Sequence, residues 1–142
     1  MVIVYHKNFE DVAEKMREHR ATHSSLVVEK IRLDHIYNEF SGGAQDICAI
    51  RDFSKMLHDR SSQFKYLLLF GDGSFDYKDR IANNTNIMPS WYSYNSFNLT
   101  NSFVSDDFYG MMDANEGTMA TSNKLDLAVG RILADTPQRA KE

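Results

Sequence analysis

Short unbroken apolar runs alternate along this chain with longer stretches of helical periodicity. Val2–Tyr5 is apolar throughout and rich in β-branched side chains, which predicts a strand buried on both faces. His6-Lys7-Asn8 is polar, and Asn8 stands where a helix cap is expected. From Phe9 to about Ala21, Phe9, Val12, Ala13 and Met16 recur at helical spacing. Leu26–Ile36, with Val27, Val28, Ile31 and Leu33, predicts a second strand. Ser41-Gly42-Gly43 breaks the chain, and Ala44–Arg60 then carries Ile47, Ile50, Phe53 and Leu57 on one helical face. Tyr66–Phe70 is continuously apolar, as a central parallel strand is, and Leu125–Leu133 predicts a fourth strand.

Strand, helix, strand, helix, strand is the signature of a doubly wound α/β sheet with right-handed crossovers. The expected fold is flavodoxin-like: about four parallel strands in the order 2-1-3-4, with helices on both faces. Between Gly71 and Asp126 lie more than fifty residues without strong periodicity. Trp91, Tyr92, Tyr94, Phe97, Phe103, Phe108 and Tyr109 make this segment too aromatic for disorder. It is expected to pack over the carboxyl edge of the sheet, where open α/β sheets place their sites. Thr136-Pro137 is a helix-start signal with only about one turn after it, to Glu142. So short a helix does not support itself, and the expectation is a frayed turn in a piece of a larger protein.

Composition narrows the function classes. The 142 residues include 42% apolar and 25% charged residues, enough for one cored domain. A net charge of −4 with no basic cluster argues against nucleic-acid binding. The longest apolar run, Tyr66–Phe70, is too short to insert into a membrane, and Val2-Ile3-Val4-Tyr5 lacks the basic region and cleavage site of a signal peptide. The one cysteine, Cys48, excludes an internal disulfide and a cysteine metal cluster.

Two loops carry candidate chemistry. Gly71-Asp72-Gly73-Ser74-Phe75-Asp76 follows the central strand directly. Asp72, Ser74, Asp76 and Asp79 alternate there, as an acidic or metal pocket would require, although the glycine spacing of a calcium loop is absent. The structural alternative is that Asp72 accepts backbone N–H bonds in the turn. Asp106, Asp107, Asp113, Asn115 and Glu116 form the second group, five oxygen donors within eleven residues, and they are the candidate calcium ligands. Capping of a turn by Ser105 or Asp106 is the alternative there.

Cys48 lies in the first turns of a predicted helix beside Asp46, the setting of an inert thiol. Of the histidines at 6, 19, 23, 35 and 58, only His19 and His23 are four apart, and the helix is expected to end between them, at Ala21-Thr22. Asn83-Asn84-Thr85 and Asn98-Leu99-Thr100 match the glycosylation triplet, which is too common to carry weight. No glycine-rich phosphate loop is present, so no cofactor site is expected and a phosphoacceptor role for Asp72 lacks support.

Several blocks together resemble a known family. Tyr66-Leu67-Leu68-Leu69-Phe70-Gly71-Asp72 is similar to the central strand and Gly-Asp of gingipain-like cysteine peptidases. Ser105-Asp106-Asp107-Phe108-Tyr109-Gly110, followed by Asp126-Leu127-Ala128-Val129-Gly130-Arg131, resembles that family's next block. Ile36–Gly43 and Ala49–Phe53 look closest to one branch, the surface sortases of the type IX secretion system. The likeness runs in order along essentially the whole chain.

The resemblance implies a caspase-like catalytic domain of two α/β subdomains, with residues 1–142 as the first. Family members carry the catalytic histidine in a Gly-His-Gly segment, and the cysteine, after later strands. No such segment occurs here, so no catalytic residue is assigned. Gly71, Asp72, Asp106, Asp107, Gly130 and Arg131 match family positions as scaffold or cation-site residues. The implied partners are a downstream catalytic subdomain of the same chain and, through the parent, secreted cargo proteins. The implied location is the bacterial cell surface, associated with the outer membrane. A non-catalytic module binding protein or glycan through the aromatic-rich loop is the alternative.

Overall fold

The computed structural model describes residues 1–95, 97–120 and 122–141. Its elements are β1 (Val2–Tyr5), α1 (Glu10–His23), β2 (Glu29–Arg32), α2 (Leu33–Phe40), α3 (Ile47–Arg60), β3 (Tyr66–Phe70), the two-residue strands β4 (Trp91–Tyr92) and β5 (Val104–Ser105), and β6 (Ala128–Ile132). Single 3-10 turns stand at Lys7–Phe9, Asp107–Gly110 and Arg139–Lys141. The sheet is parallel in the order β2-β1-β3-β6, which is the expected order once the small antiparallel β4–β5 pair is set aside.

Alternation along the strands divides the core in two. Val2, Val4, Leu67 and Leu69 pack under α2 and α3 with Leu33, Ile36, Ile50 and Phe53. Ile3, Tyr5 and Phe70 pack under α1 with Phe9, Val12 and Ala13. Lys30 of β2 pairs with Glu10 and Glu14, which ties α1 to the sheet edge.

Element boundaries differ from expectation in physically informative ways. The expected strand Leu26–Ile36 shrinks to Glu29–Arg32, because Leu33, Ile36, Tyr37 and Phe40 recur at helical spacing and form the buried side of α2. One apolar stretch thus serves two elements. Asn8 is not a cap. His6 takes that role for the first 3-10 turn, its Nδ1 accepting from the Asn8 N–H at 3.3 Å. The helix expected from Ala44 begins at Ile47, capped by Asp46, whose Oδ1 accepts from the Cys48 N–H at 2.8 Å. α1 continues past Ala21-Thr22 to His23. The expected terminal helix is a single 3-10 turn, in which the Gln138 carbonyl accepts from the Lys141 N–H at 3.0 Å. Glu142, the last residue of that expected helix, lies outside the described residues.

The long segment after β3 does two things. Its first half folds onto the carboxyl edge: the Asp72 N–H donates to the Ala134 carbonyl at 2.9 Å, and the Asp72 carbonyl accepts from the Ile87 and Met88 N–H groups. Its second half stands where a crossover helix would stand. Phe108, Tyr109 and Met112 are buried beside α3, and Arg51 Nε of α3 donates to the Met111 carbonyl at 2.9 Å.

Gly110 is where this half presses on β6. A Cβ there would meet Val129 Cγ2 at 2.8 Å, Leu125 Cδ2 at 2.9 Å and the Leu127 carbonyl oxygen at 3.0 Å. Gly110→Ala is therefore expected to lower stability by about 1–3 kcal/mol, read from urea midpoints at unchanged slope.

Candidate functional site

The carboxyl edge is organised by one cation. Arg131 lies near the end of β6 beside Leu69, and its side chain is only 8% exposed. Nε donates to Asp106 Oδ2 at 2.6 Å and Nη2 to Asp106 Oδ1 at 2.7 Å, a bidentate fork. Nη1 donates to the carbonyls of Gly71 (2.9 Å) and Met88 (2.7 Å). Nη2 also reaches the Pro89 carbonyl (3.0 Å) and Ser90 Oγ (2.9 Å). One guanidinium thereby clamps the end of β3, the 88–90 segment and the Asp106 turn onto β6. Tyr109 reinforces the wall by donating its hydroxyl to the Pro89 carbonyl at 2.6 Å, and burial holds its phenol well above the usual range.

The Gly71–Asp76 loop is wired internally. Gly71 has a φ of +141°, and a Cβ on it would lie 2.7 Å from Ile87 Cγ2, so the turn out of β3 requires glycine. Asp72 Oδ1 accepts from the Gly73 N–H at 2.9 Å and Oδ2 from the Thr85 hydroxyl at 3.1 Å. Asp76 is buried, and its Oδ2 accepts from the Arg80 and Ile81 N–H groups at 2.6 and 2.7 Å. Both carboxylates serve the loop, the turn role weighed above for Asp72.

The five candidate calcium ligands are not brought together. Both oxygens of Asp106 belong to Arg131. Glu116 accepts from the Lys124 and Asp113 N–H groups, each at 3.0 Å, and these bonds hold its carboxyl below the usual range. Asp107, Asp113 and Asn115 are exposed. Among the described residues no group of three or more His, Cys, Asp or Glu is placed to share an ion. As arranged, the donor set does not fit calcium.

Several depressions open on this edge, two of them beside the 90–92 segment. The larger, about 620 Å³, lies between the start of α3 and β4 and is lined by Gln45, Asp46, Tyr77, Ser90, Trp91 and Tyr94 among others. The smaller, about 240 Å³, lies over the clamp beside Asp72, Tyr92 and Leu133. Neither is lined by a cysteine or a histidine, while a third, about 230 Å³, is lined by His6, Leu33, Asp34 and Asn86 among others and by no cysteine. Cys48 is exposed on α3, and partial burial followed by the Asp46 and Asp52 charges pushes its thiol up. A catalytic thiolate needs the opposite shift.

Sequence reasoning placed Asp106 and Arg131 in the right blocks without pairing them. The signal was a lone arginine in an otherwise apolar strand pattern, which has to find a carboxylate and carbonyls once buried.

Comparison with known proteins decides what this scaffold is. The profile of peptidase family C25 matches residues 1–142. The chain belongs to peptidase family C25, the gingipain family. No curated relative matches the sequence. Among solved structures, dimeric latent PorU from Porphyromonas gingivalis superposes with a TM-score of 0.78 at 29% identity. The match covers 99% of this chain and 14% of that one, so the chain spans a small part of the PorU length. In this C25 chain the two resembling blocks, Gly71-Asp72 and Ser105–Gly110 with Gly130-Arg131, are the parts joined by the clamp.

Proposed function

We propose that this chain is the non-catalytic first subdomain of a C25 cysteine peptidase of the PorU type, a sortase that removes C-terminal sorting signals from secreted proteins at the bacterial cell surface. The observation that carries the reading is the match of the whole chain, at 29% identity, to a segment amounting to 14% of latent PorU. The chemistry would come from a cysteine and a histidine supplied by a following subdomain. The cysteine thiolate attacks the peptide carbonyl carbon, the amine leaves with a proton from the histidine, and the acyl-enzyme passes to water or to an acceptor amine. This chain supplies the rigid carboxyl edge against which that subdomain seats, and one rim of the cleft.

On this reading the chain alone turns over no peptide. Incubation with unstructured peptides of varied sequence is expected to give no thiol-sensitive cleavage. Because its thiol is pushed up, Cys48 is also expected to react with iodoacetamide more slowly than a free cysteine at pH 7.5, the gap narrowing as pH rises. Peptide turnover that disappears in Cys48→Ala would overturn the assignment.

A second reading rests on the β4–β5 hairpin. Tyr94, Phe97, Leu99, Phe103 and Val104 are all exposed there, and no charged residue occurs between Tyr92 and Val104. An interaction module would use that surface. If the longer protein is inactive and Phe97→Ser with Leu99→Ser abolishes capture of a partner, this reading replaces the first.

A further inference from the structure

In the order β2-β1-β3-β6 the chain leaves β1 toward β2 and returns to β3 on the other side of β1. The carboxyl ends of β1 and β3 therefore flank a topological switch point, where open α/β sheets bind ligands. The cavity of about 230 Å³ lies there. Its lining includes His6 and Lys7 directly after β1, Asp34 directly after β2, Tyr37 of α2, Asn86, and Ile87, which lies over Gly71 at the end of β3.

Its polar groups are mostly donors without partners. Tyr37 is 9% exposed, and its hydroxyl is buried and bonds to no other group. Burial pushes that phenol up, so it stays a neutral O–H donor. Asn86 Oδ1 accepts from the Ser74 N–H at 3.2 Å, while its Nδ2 is buried and bonds to nothing. His6 Nδ1 accepts from the Asn8 N–H at 3.3 Å, so Nε2 carries the hydrogen. Burial and the Lys7 charge hold this ring below the usual imidazole range, which keeps it neutral. Lys7 forms no ion pair among the described residues. Asp34, the acid in the lining, is held by Arg32, from Nε at 3.0 Å and Nη2 at 2.5 Å. Asp46, whose charge reaches Tyr37, is engaged as the cap of α3.

We infer that this cavity binds a small ligand through a carboxylate. Buried donors left unbonded are costly, and a charged acceptor makes the stronger bonds with them. One unpaired ammonium balances one negative charge, so a dianionic phosphate beside Asp34 would be under-compensated. At about 30 Å³ per water, the volume suits a ligand of about eight non-hydrogen atoms. The inference is independent of the peptidase reading.

The test is a nitrogen–proton NMR titration of the chain with N-acetylglycine at pH 7.5. The expected result is saturable shifts centred on the Asn86 side-chain amide and the Lys7 and Tyr37 backbone. N-acetylglycinamide, the same shape without the charge, should bind at least about tenfold more weakly. Tyr37→Phe should weaken acid binding about tenfold, yet leave the free chain's melting temperature unchanged or higher, because it removes an unsatisfied buried hydroxyl. Lys7→Gln should weaken it about threefold, and Lys15→Gln, exposed on α1, should leave it unchanged. Pentaglycine separates a free acid from a peptide chain end. Equal binding supports entry of a chain end, and binding at least about tenfold weaker supports a small acid. No saturable shift, equal binding of the amide, or a Tyr37→Phe chain that is destabilised with binding intact overturns the site.

Discussion

Arg131→Met should cost the fold about 3–5 kcal/mol, the range for breaking a buried ion pair by removing one partner. Total stability of a domain this size is about 5–15 kcal/mol, so the variant is expected to melt far below the parent or to be unfolded at 37 °C. The loss has two parts. Asp106, 22% exposed, is left without its counter-charge. The carbonyls of Gly71 and Met88 lose their donor, each at the cost of a buried unsatisfied group, whereas the Pro89 carbonyl keeps the Tyr109 hydroxyl. Arg131→Lys keeps the charge but offers no planar fork, and should fall between the two.

The double variant Arg131→Met with Asp106→Leu separates these parts. Removing both charges relieves the first and leaves the second, so stability should recover only partly. Urea unfolding of the four proteins measures this. If Arg131→Met costs less than about 1 kcal/mol, the pair behaves like an ordinary surface bridge and the clamp is not what holds this edge.

The clamp also shows where reading the sequence stops. Periodicity reached the strands because each is defined by its own residues: Val2–Tyr5 and Tyr66–Phe70 are apolar at every position, and their boundaries match the structure. Order followed from topology rules, since right-handed crossovers leave few arrangements for four parallel strands. The failures have a common cause. Ile31 and Leu33 look alike as apolar residues, yet one lies inside β2 and the other opens α2, and only the packing of Leu33, Ile36 and Tyr37 under the sheet divides them.

The site was harder for the same reason. Asp106 and Glu116 both count as oxygen donors in a composition argument. Whether an oxygen is free depends on residues distant in sequence, Arg131 for one and the Lys124 backbone for the other. Family blocks located the right residues without stating their partners. The end of α1 was misplaced by about one half-turn, because Ala21-Thr22 resembles a helix end while α1 runs on to His23, capped by Ser24, whose N–H bonds the Arg20 carbonyl at 3.1 Å.

A longer protein that continues through a second α/β subdomain should be a thiol-dependent peptidase or transpeptidase, whereas residues 1–142 alone should not. Carboxyl edges are where open parallel sheets gather their catalytic groups, and here that edge is built, but the depression that His6 lines on it holds no cysteine and the two beside the 90–92 segment hold neither a cysteine nor a histidine. β6 is an outer strand of the sheet, with Ala128 and Gly130 exposed, so further strands can add beside it and bring a nucleophile and base to the same edge. Activity should survive Cys48→Ala, since that thiol sits on α3 with its pKa pushed the wrong way. It should vanish on substitution of the downstream cysteine. Arg131→Met should abolish it together with the fold. By contrast, Asp72→Asn should spare most of it, because the amide oxygen can still accept from the Gly73 N–H. The measurement is cleavage of a cargo protein carrying its C-terminal sorting signal, with and without a thiol-alkylating reagent. A folded longer chain that neither cleaves nor ligates such a substrate would end the peptidase reading and leave the exposed β4–β5 hairpin as the functional surface.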